Sequence, residues 1–219
     1  MSLGVTLKLA TSLDGRIATA SGESRWITGP AAREQVHRLR AMHQAVLIGV
    51  ETAIADDPEL TVRLPGFVGF QPVRVVLDSR QRLPLTSKLV RDAGRLPTVV
   101  ITGQNPNNRL TDVGVTVLQV DERDGRPEPK AALAALRAHL PLGEAAGVFI
   151  EGGGQVAASF LAADLVDALE WFRAPIVLGD EGRPAVGAFV LKDLAAAPRF
   201  RRVAVEAVGD DLWERYEKA

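Results

Sequence analysis

The 219-residue chain contains no cysteine. That absence excludes disulfides, thiolate nucleophiles and cysteine-ligated zinc. Histidine is scarce as well: only His37, His43 and His139 occur, none with a metal-binding spacing such as H-E-x-x-H. His37 and His43 are read as sharing one helix on different faces, so no metal site is expected. An excess of one charge is also missing. Lys and Arg total 26, Asp and Glu 27, and the net charge is −1. That balance gives no electrostatic case for nucleic acid or an anionic membrane. No apolar run approaches the ~18 residues needed to span a bilayer. The N-terminus has no basic region followed by an apolar stretch, so no secretory signal is expected and the cytoplasm is the expected compartment.

What is present is an ordinary globular composition, 47% hydrophobic and 24% charged. Residues 5–10 alternate with period two, setting Val5, Leu7 and Leu9 against Thr6, Lys8 and Ala10. Residues 11–29 read as loop. Pro30 opens a helix to about Met42, with Thr28 or Gly29 as cap and Val36, Leu39 and Arg40 along one side. Residues 45–49, 73–77, 98–102, 115–120 and 148–151 are predicted strands. Residues 51–72 read as irregular and 103–110 as loop. A helix is predicted over 129–140, with Leu133, Leu136 and Leu140 in register. A second follows Gly154, with Val156, Phe160 and Leu161 as its apolar face. Residues 168–172 and 175–178 read as strand pieces, and 202–208 with 212–216 as a closing hairpin around Gly209-Asp210. Strands alternate with helices and then dominate. That pattern predicts one α/β domain over residues 1–219, with a mostly parallel sheet and an antiparallel edge.

Two segments stand out for chemistry. Residues 7–40 run from a strand through a polar, glycine-rich loop carrying Trp26 into a helix, and such loops hold ligands better than they build cores. Residues 148–154 place Glu151-Gly152-Gly153-Gly154 between a strand and a helix. Glycines admit a bulky anion to the backbone, and the helix start supplies free N–H groups; the same run also suits a tight turn. Lys8 is either a solvated strand lysine or part of an active-site floor with Ala10. Trp26 is either a ligand contact or a loop anchor packed on the core. Asp14-Gly15 is a turn signal with a structural role. Asp57 precedes Pro58 and is expected to be extended. Arg40 lies beside an apolar helix side, a sheltered position suited to bidentate recognition.

The blocks SLDGR (Ser12 to Arg16), SGES-x-W-IT-x-P (Ser21 to Pro30) and LRA (Leu39 to Ala41) resemble the riboflavin-biosynthesis reductase family. That family is the C-terminal reductase domain of the bifunctional deaminase-reductase. The resemblance continues in order through T-x-x-x-DDP-x-LTVR (Thr52 to Arg63), VLDS (Val76 to Ser79), EGG (Glu151 to Gly153) and AP-x-x-LG (Ala174 to Gly179).

The resemblance implies a dihydrofolate-reductase-like α/β fold with helices on both faces of the sheet. It implies NADPH-dependent reduction of the ribosyl group of 5-amino-6-(5-phosphoribosylamino)uracil to a ribityl group. A diamino-pyrimidine substrate, a pterin or another imine, and a non-catalytic role in a riboflavin pathway complex, are the alternatives. By match to the family, Ser24, Arg40, Leu60, Arg63 and Glu151 contact substrate. Ala10, Trp26, Thr52, Asp56, Ser79, Gly153, Gly154, Gln155 and Val156 contact cofactor. Arg80, beside Ser79, is assigned to the adenosine 2′-phosphate. Lys8, Asp56 and Glu151 are the candidate catalytic groups. The family's zinc deaminase needs cysteines, so no deaminase domain is expected in this chain, and that activity is expected on a separate chain or a missing domain. A homodimer is the expected assembly.

Overall fold

The computed structural model describes residues 4–140 and 147–219. The chain opens with β1 (Gly4–Thr11), β2 (Arg16–Ala18), α1 (Pro30–Ala41), β3 (Ala45–Gly49) and α2 (Val50–Asp56). It continues through β4 (Val73–Leu77), α3 (Lys88–Arg91), β5 (Thr98–Thr102), α4 (Asn108–Thr111), β6 (Thr116–Gln119), β7 (Glu122–Arg123), β8 (Arg126–Pro127) and α5 (Pro129–His139). It closes with β9 (Gly147–Gly152), α6 (Gly154–Ala162), β10 (Ala168–Arg173), β11 (Arg183–Pro184), β12 (Phe200–Val208) and β13 (Asp211–Lys218). Nine strands form one sheet in the order β12-β13-β10-β1-β9-β3-β4-β5-β6. The β1–β10, β3–β4, β4–β5 and β5–β6 pairs are parallel, and the β10–β13–β12 edge is antiparallel. The expected α/β class, with its antiparallel C-terminal edge, is what forms.

The chain divides into two compact units, Val5–Arg38 with Ile150–Ala219, and Leu39–Phe149. In the first unit, Val5, Leu7 and Leu9 of β1 are buried, while Thr6, Lys8 and Ala10 on the other face are half-buried. Ala157, Ala158, Phe160 and Leu161 are the buried side of α6; Val156, expected there, is half-buried. Phe172 stacks on Trp213 with ring centroids 5.6 Å apart.

In the second unit β5 is buried at every residue and β3 at all but Gly49, as continuous apolar runs in a parallel sheet require. On α5 Ala132 and Leu136 are buried and Leu133 is half-buried, with Leu140 buried just past the helix end. Beneath the α3 turn lies Arg74, 1% exposed, whose Nη2 donates to the carbonyls of Leu89 (2.9 Å) and Leu96 (2.8 Å) and to Thr98 Oγ1 (2.5 Å).

Several expectations are corrected. The supposed irregular stretch 51–72 begins inside α2. Its seven residues are too few to show a helical period, and no side chain caps its start. The expected loop 11–29 contains β2, which pairs with β11. The expected loop 103–110 ends in α4, and β7 pairs with β8 as a short ribbon. Residues 175–178 are not a strand: the Ile176 N–H folds back on the Ala174 carbonyl at 2.8 Å, and the Leu178 N–H goes to Asp14. His43 lies beyond the end of α1, where its ring stacks on Phe149 at 4.9 Å and its Nδ1 lies 2.7 Å from the Leu39 carbonyl. Asp57 is left-handed (φ 41°, ψ 57°) rather than extended. It closes α2 by donating its N–H to the Ala53 carbonyl, and its carboxylate accepts from the Lys88 N–H at 2.8 Å. Those two bonds outweigh the steric bias of the following proline.

Candidate functional site

The candidate residues fall into two sets, one in each unit. The first unit carries Lys8, Ala10, Ser24, Trp26, Glu151 and Gly153–Val156. Lys8 and Ala10 project from the same face of β1 because of the two-residue period. Glu151 is half-buried near the end of β9, one residue before the turn into α6. Gly153 is the cap of α6, with φ 90° and no side-chain hydrogen bond to the helix start. The first intrahelical bond is Ala157 N–H to the Gly153 carbonyl, so the N–H groups of Gly154, Gln155 and Val156 precede the helical ladder. This arrangement is chemically suited to a phosphate oxygen.

Gly154 is a glycine for a second reason. A Cβ there would stand 2.6 Å from the Pro184 carbonyl oxygen, and the Gly187 N–H donates to the Gly154 carbonyl at 2.7 Å. The close approach at this position is made by the protein's own backbone.

The 176–187 segment is held by the SLDGR turn. The Asp14 carboxylate accepts from Ser12 Oγ (2.6 Å), the Leu178 N–H (3.1 Å) and the Gly179 N–H (2.8 Å). Arg16 donates to the Gly182 carbonyl, and the Ala185 N–H to that of Gly15. The structural role expected for Asp14-Gly15 is therefore observed. The Ser12 hydroxyl foremost, then the two amides, holds the Asp14 carboxyl down at about 2. A lowered carboxyl stabilises the fold above its ordinary value of 3.8, and that contribution disappears as pH falls through about 2. Asp14→Asn is expected to lower the thermal midpoint at pH 7, with the gap to wild type closing near pH 2. An equal gap at both pH values contradicts the assignment.

Trp26 is 69% exposed, so it is not a core anchor. The Arg33 guanidinium lies 4.4 Å from its ring centroid and donates to the Thr28 carbonyl. A cleft of about 600 Å³ runs past Trp26, Thr28, Gly29, Arg33, Val208 and Asp211. Ser24 is half-buried in the preceding turn, its carbonyl accepting from the Ile27 N–H.

The second unit carries Arg40, Thr52, Asp56, Leu60, Arg63, Ser79 and Arg80. Thr52 and Asp56 are four residues apart on α2 and therefore share a face, both half-buried. Arg40 is 9% exposed, as its position beside Val36 and Leu39 implies, and its Nη1 donates to the Thr61 carbonyl at 2.8 Å. Leu60 is buried with φ 55°. Arg63 is exposed and pairs with Glu59 at 3.3 Å. Such a surface pair contributes at most about 1 kcal/mol and yields readily to a phosphate.

Gln71 was not singled out by sequence reasoning. Its side-chain amide accepts from the Val62 N–H (2.7 Å) and donates to the Val62 carbonyl (3.1 Å), closing the loop that follows Arg63. Arg40 and Gln71 thus fix the 61–63 segment from two sides. Ser79 and Arg80 follow β4, where the buried Asp78 carboxylate accepts from the N–H groups of Leu83 (2.8 Å) and Arg80 (3.4 Å). Among the described residues, no group of three or more His, Asp or Glu is placed to hold a metal ion, and no helix is long and apolar enough to cross a membrane.

Comparison with known proteins places this framework. The RibD C-terminal domain family matches residues 4–213. The riboflavin biosynthesis protein RibD of Bacillus amyloliquefaciens is 36% identical over 217 residues, covering 95% of this chain and 55% of that protein. The structure of Acinetobacter baumannii RibD superposes with a TM-score of 0.86 at 34% identity, covering all of this chain and 58% of the other. A Thermotoga maritima diaminohydroxyphosphoribosylaminopyrimidine deaminase/5-amino-6-(5-phosphoribosylamino)uracil reductase superposes at 0.82 with 28% identity, covering all of this chain and 57% of that one. The chain spans about half the length of the curated relatives it matches. It belongs to the RibD C-terminal domain family.

Proposed function

We propose that the chain is a single NADPH-dependent reductase domain that converts the ribosyl group of 5-amino-6-(5-phosphoribosylamino)uracil to a ribityl group. The observation that carries this reading is the α6 start, where three N–H groups precede the helical ladder behind an uncapped Gly153. With the family membership, that cradle fits the dinucleotide pyrophosphate. Arg80 is exposed and has no side-chain partner among the described residues, which suits a 2′-phosphate.

The substrate's ribosylamine opens to an imine at C1′. NADPH, when bound, supplies the hydride to that carbon. A proton on the imine nitrogen completes the ribitylamine. Arg40 and Arg63 hold the substrate phosphate and base, Ser24, Leu60 and Glu151 complete its contacts, and Lys8 lies on the active-site floor. Ala10, Trp26, Thr52 and Ser79 border the cofactor, with Gly153–Val156 at its pyrophosphate. Asp56 or Glu151 assists protonation. The protein's contribution is positioning and electrostatics.

Incubation with NADPH and the aminouracil ribose phosphate, followed by loss of reduced-nicotinamide absorbance, tests the reading. Turnover is expected, and its absence overturns it; turnover only with the diamino form identifies the rival substrate. In the same assay Arg80→Ala is expected to bring the NADPH/NADH preference down about tenfold or more. An unchanged ratio removes Arg80 from 2′-phosphate recognition.

The deaminase chemistry belongs to another domain or another chain, because a Cys-ligated zinc cannot be built here. The cytoplasm is its compartment. The chain pairs as a homodimer, for which β12 offers a nine-residue strand at the outer end of the sheet. A monomer in sedimentation equilibrium overturns the pairing.

A further inference from the structure

The loop that leaves β2 carries Ser24, and it is seated by a side chain that the proposed reaction does not use. Its first turn is closed on itself. The Gly22 N–H donates to the Thr19 carbonyl (3.0 Å), the Thr19 N–H to the Glu23 carbonyl (2.9 Å) and the Glu23 N–H to Thr19 Oγ1 (3.1 Å). These bonds fix the shape of the turn, and none of them ties it to another element. The tie comes from β11. Arg183 pairs with Ala18, the last residue of β2. The end of its side chain lies where a side chain at position 22 would be: a Cβ on Gly22 would stand 2.8 Å from Arg183 Nη2 and 3.1 Å from its Cζ. Gly22 also holds φ 94°, so glycine suits this position by conformation as well as by space.

The Arg183 side chain is exposed and makes no hydrogen bond or ion pair among the described residues. Its hold on the turn is therefore packing against main-chain atoms. The far end of the loop is held separately, because Trp26 lies against the Arg33 guanidinium of α1. One arginine thus seats the half that carries the substrate contact Ser24, and another the half that carries the cofactor contact Trp26.

We infer that Arg183 is the positioning residue for the substrate half of this loop: packed over Gly22, it sets where Ser24 stands two residues further on. The inference rests on the reductase reading above and extends the site to a residue that the family resemblance did not assign. A merely structural role predicts something different. Arg183 adjoins Pro184, and residues 184–187 pack on Gly154. Loosening that stretch disturbs the α6 start, where the pyrophosphate is placed, and weakens NADPH. Positioning through Gly22 weakens the aminouracil ribose phosphate instead.

The test measures KM for both reactants. Arg183→Ala is expected to raise KM for the aminouracil ribose phosphate about tenfold, with kcat and KM for NADPH each within a factor of about two. In a Ser24→Ala background the same substitution is expected to add less than about twofold, because the contact it positions is already gone. Should Arg183→Ala fail to fold, Arg183→Lys, which keeps a long chain without the breadth of the guanidinium, carries the same comparison. An unmoved KM for the substrate, an equal rise for NADPH, or a full further loss in the Ser24→Ala background overturns the inference. Failure of the folded wild-type protein to turn over the substrate overturns the parent reading instead, and that control is measured before any variant.

Discussion

Asp56→Asn is expected to lower kcat about 10²–10⁴-fold, the range for loss of a positioned proton donor. The substitution preserves size and leaves one acceptor oxygen at the end of α2. It loses the carboxyl group's transferable proton, its negative charge and its second acceptor oxygen. Asp56 sits one helical turn after Thr52, so both reach the same side of α2 while Val50 and Ala53 anchor the other. NADPH binding, followed by nicotinamide fluorescence, is expected to change far less than kcat, because Thr52 and the helix remain in place. Wild-type turnover in Asp56→Asn removes Asp56 from proton transfer and leaves Glu151 as the candidate. Equal losses in binding and turnover mark Asp56 as a cofactor contact only.

Arg74→Ala is expected to destabilise the fold by roughly 3 kcal/mol, read as a drop in the urea midpoint at unchanged slope. Two carbonyls and a hydroxyl lose their charged donor, and a long buried side chain leaves a void. Among the described residues Arg74 Nε and Nη1 have no hydrogen-bond partner, and burial pushes the guanidinium down to about 10. A lowered arginine is penalised when charged in the folded state, and the penalty is relieved as pH rises above about 10. In the neutral range the three acceptors outweigh that penalty. Arg74→Met fills the volume without a donor and is expected to recover part of the loss. Full recovery by Met shows that packing alone fixes this position.

Much of the fold was legible because burial writes itself into local patterns. β3 and β5 are continuous apolar runs, and β1 alternates, so their environments followed directly. Pro30 marked the start of α1. α2 was not legible, since seven residues without a side-chain cap carry almost no periodic signal. Yet α2 is the element that unites Thr52 and Asp56. The named site residues came from motif order, not from physics. Gln71 and Arg183 escaped notice for a different reason. Each acts on main-chain atoms distant in sequence, and a polar side chain set against a distant backbone leaves no trace in composition or spacing. The αL turn at Asp57 was hidden because a cap and a distant amide decide it against the preference of the following proline.

The Pro184 carbonyl, which a Cβ at position 154 would meet at 2.6 Å, has a consequence for how glycine-rich loops are recognised across genomes. A residue confined to glycine by its own chain and one confined by a bound phosphate leave the same letter at the same spacing. Any lineage that acquires a side chain at position 154 must retract residues 184–187 at the same time. The two segments should therefore drift as a linked pair, and a relative that has lost its nucleotide could keep this glycine unchanged.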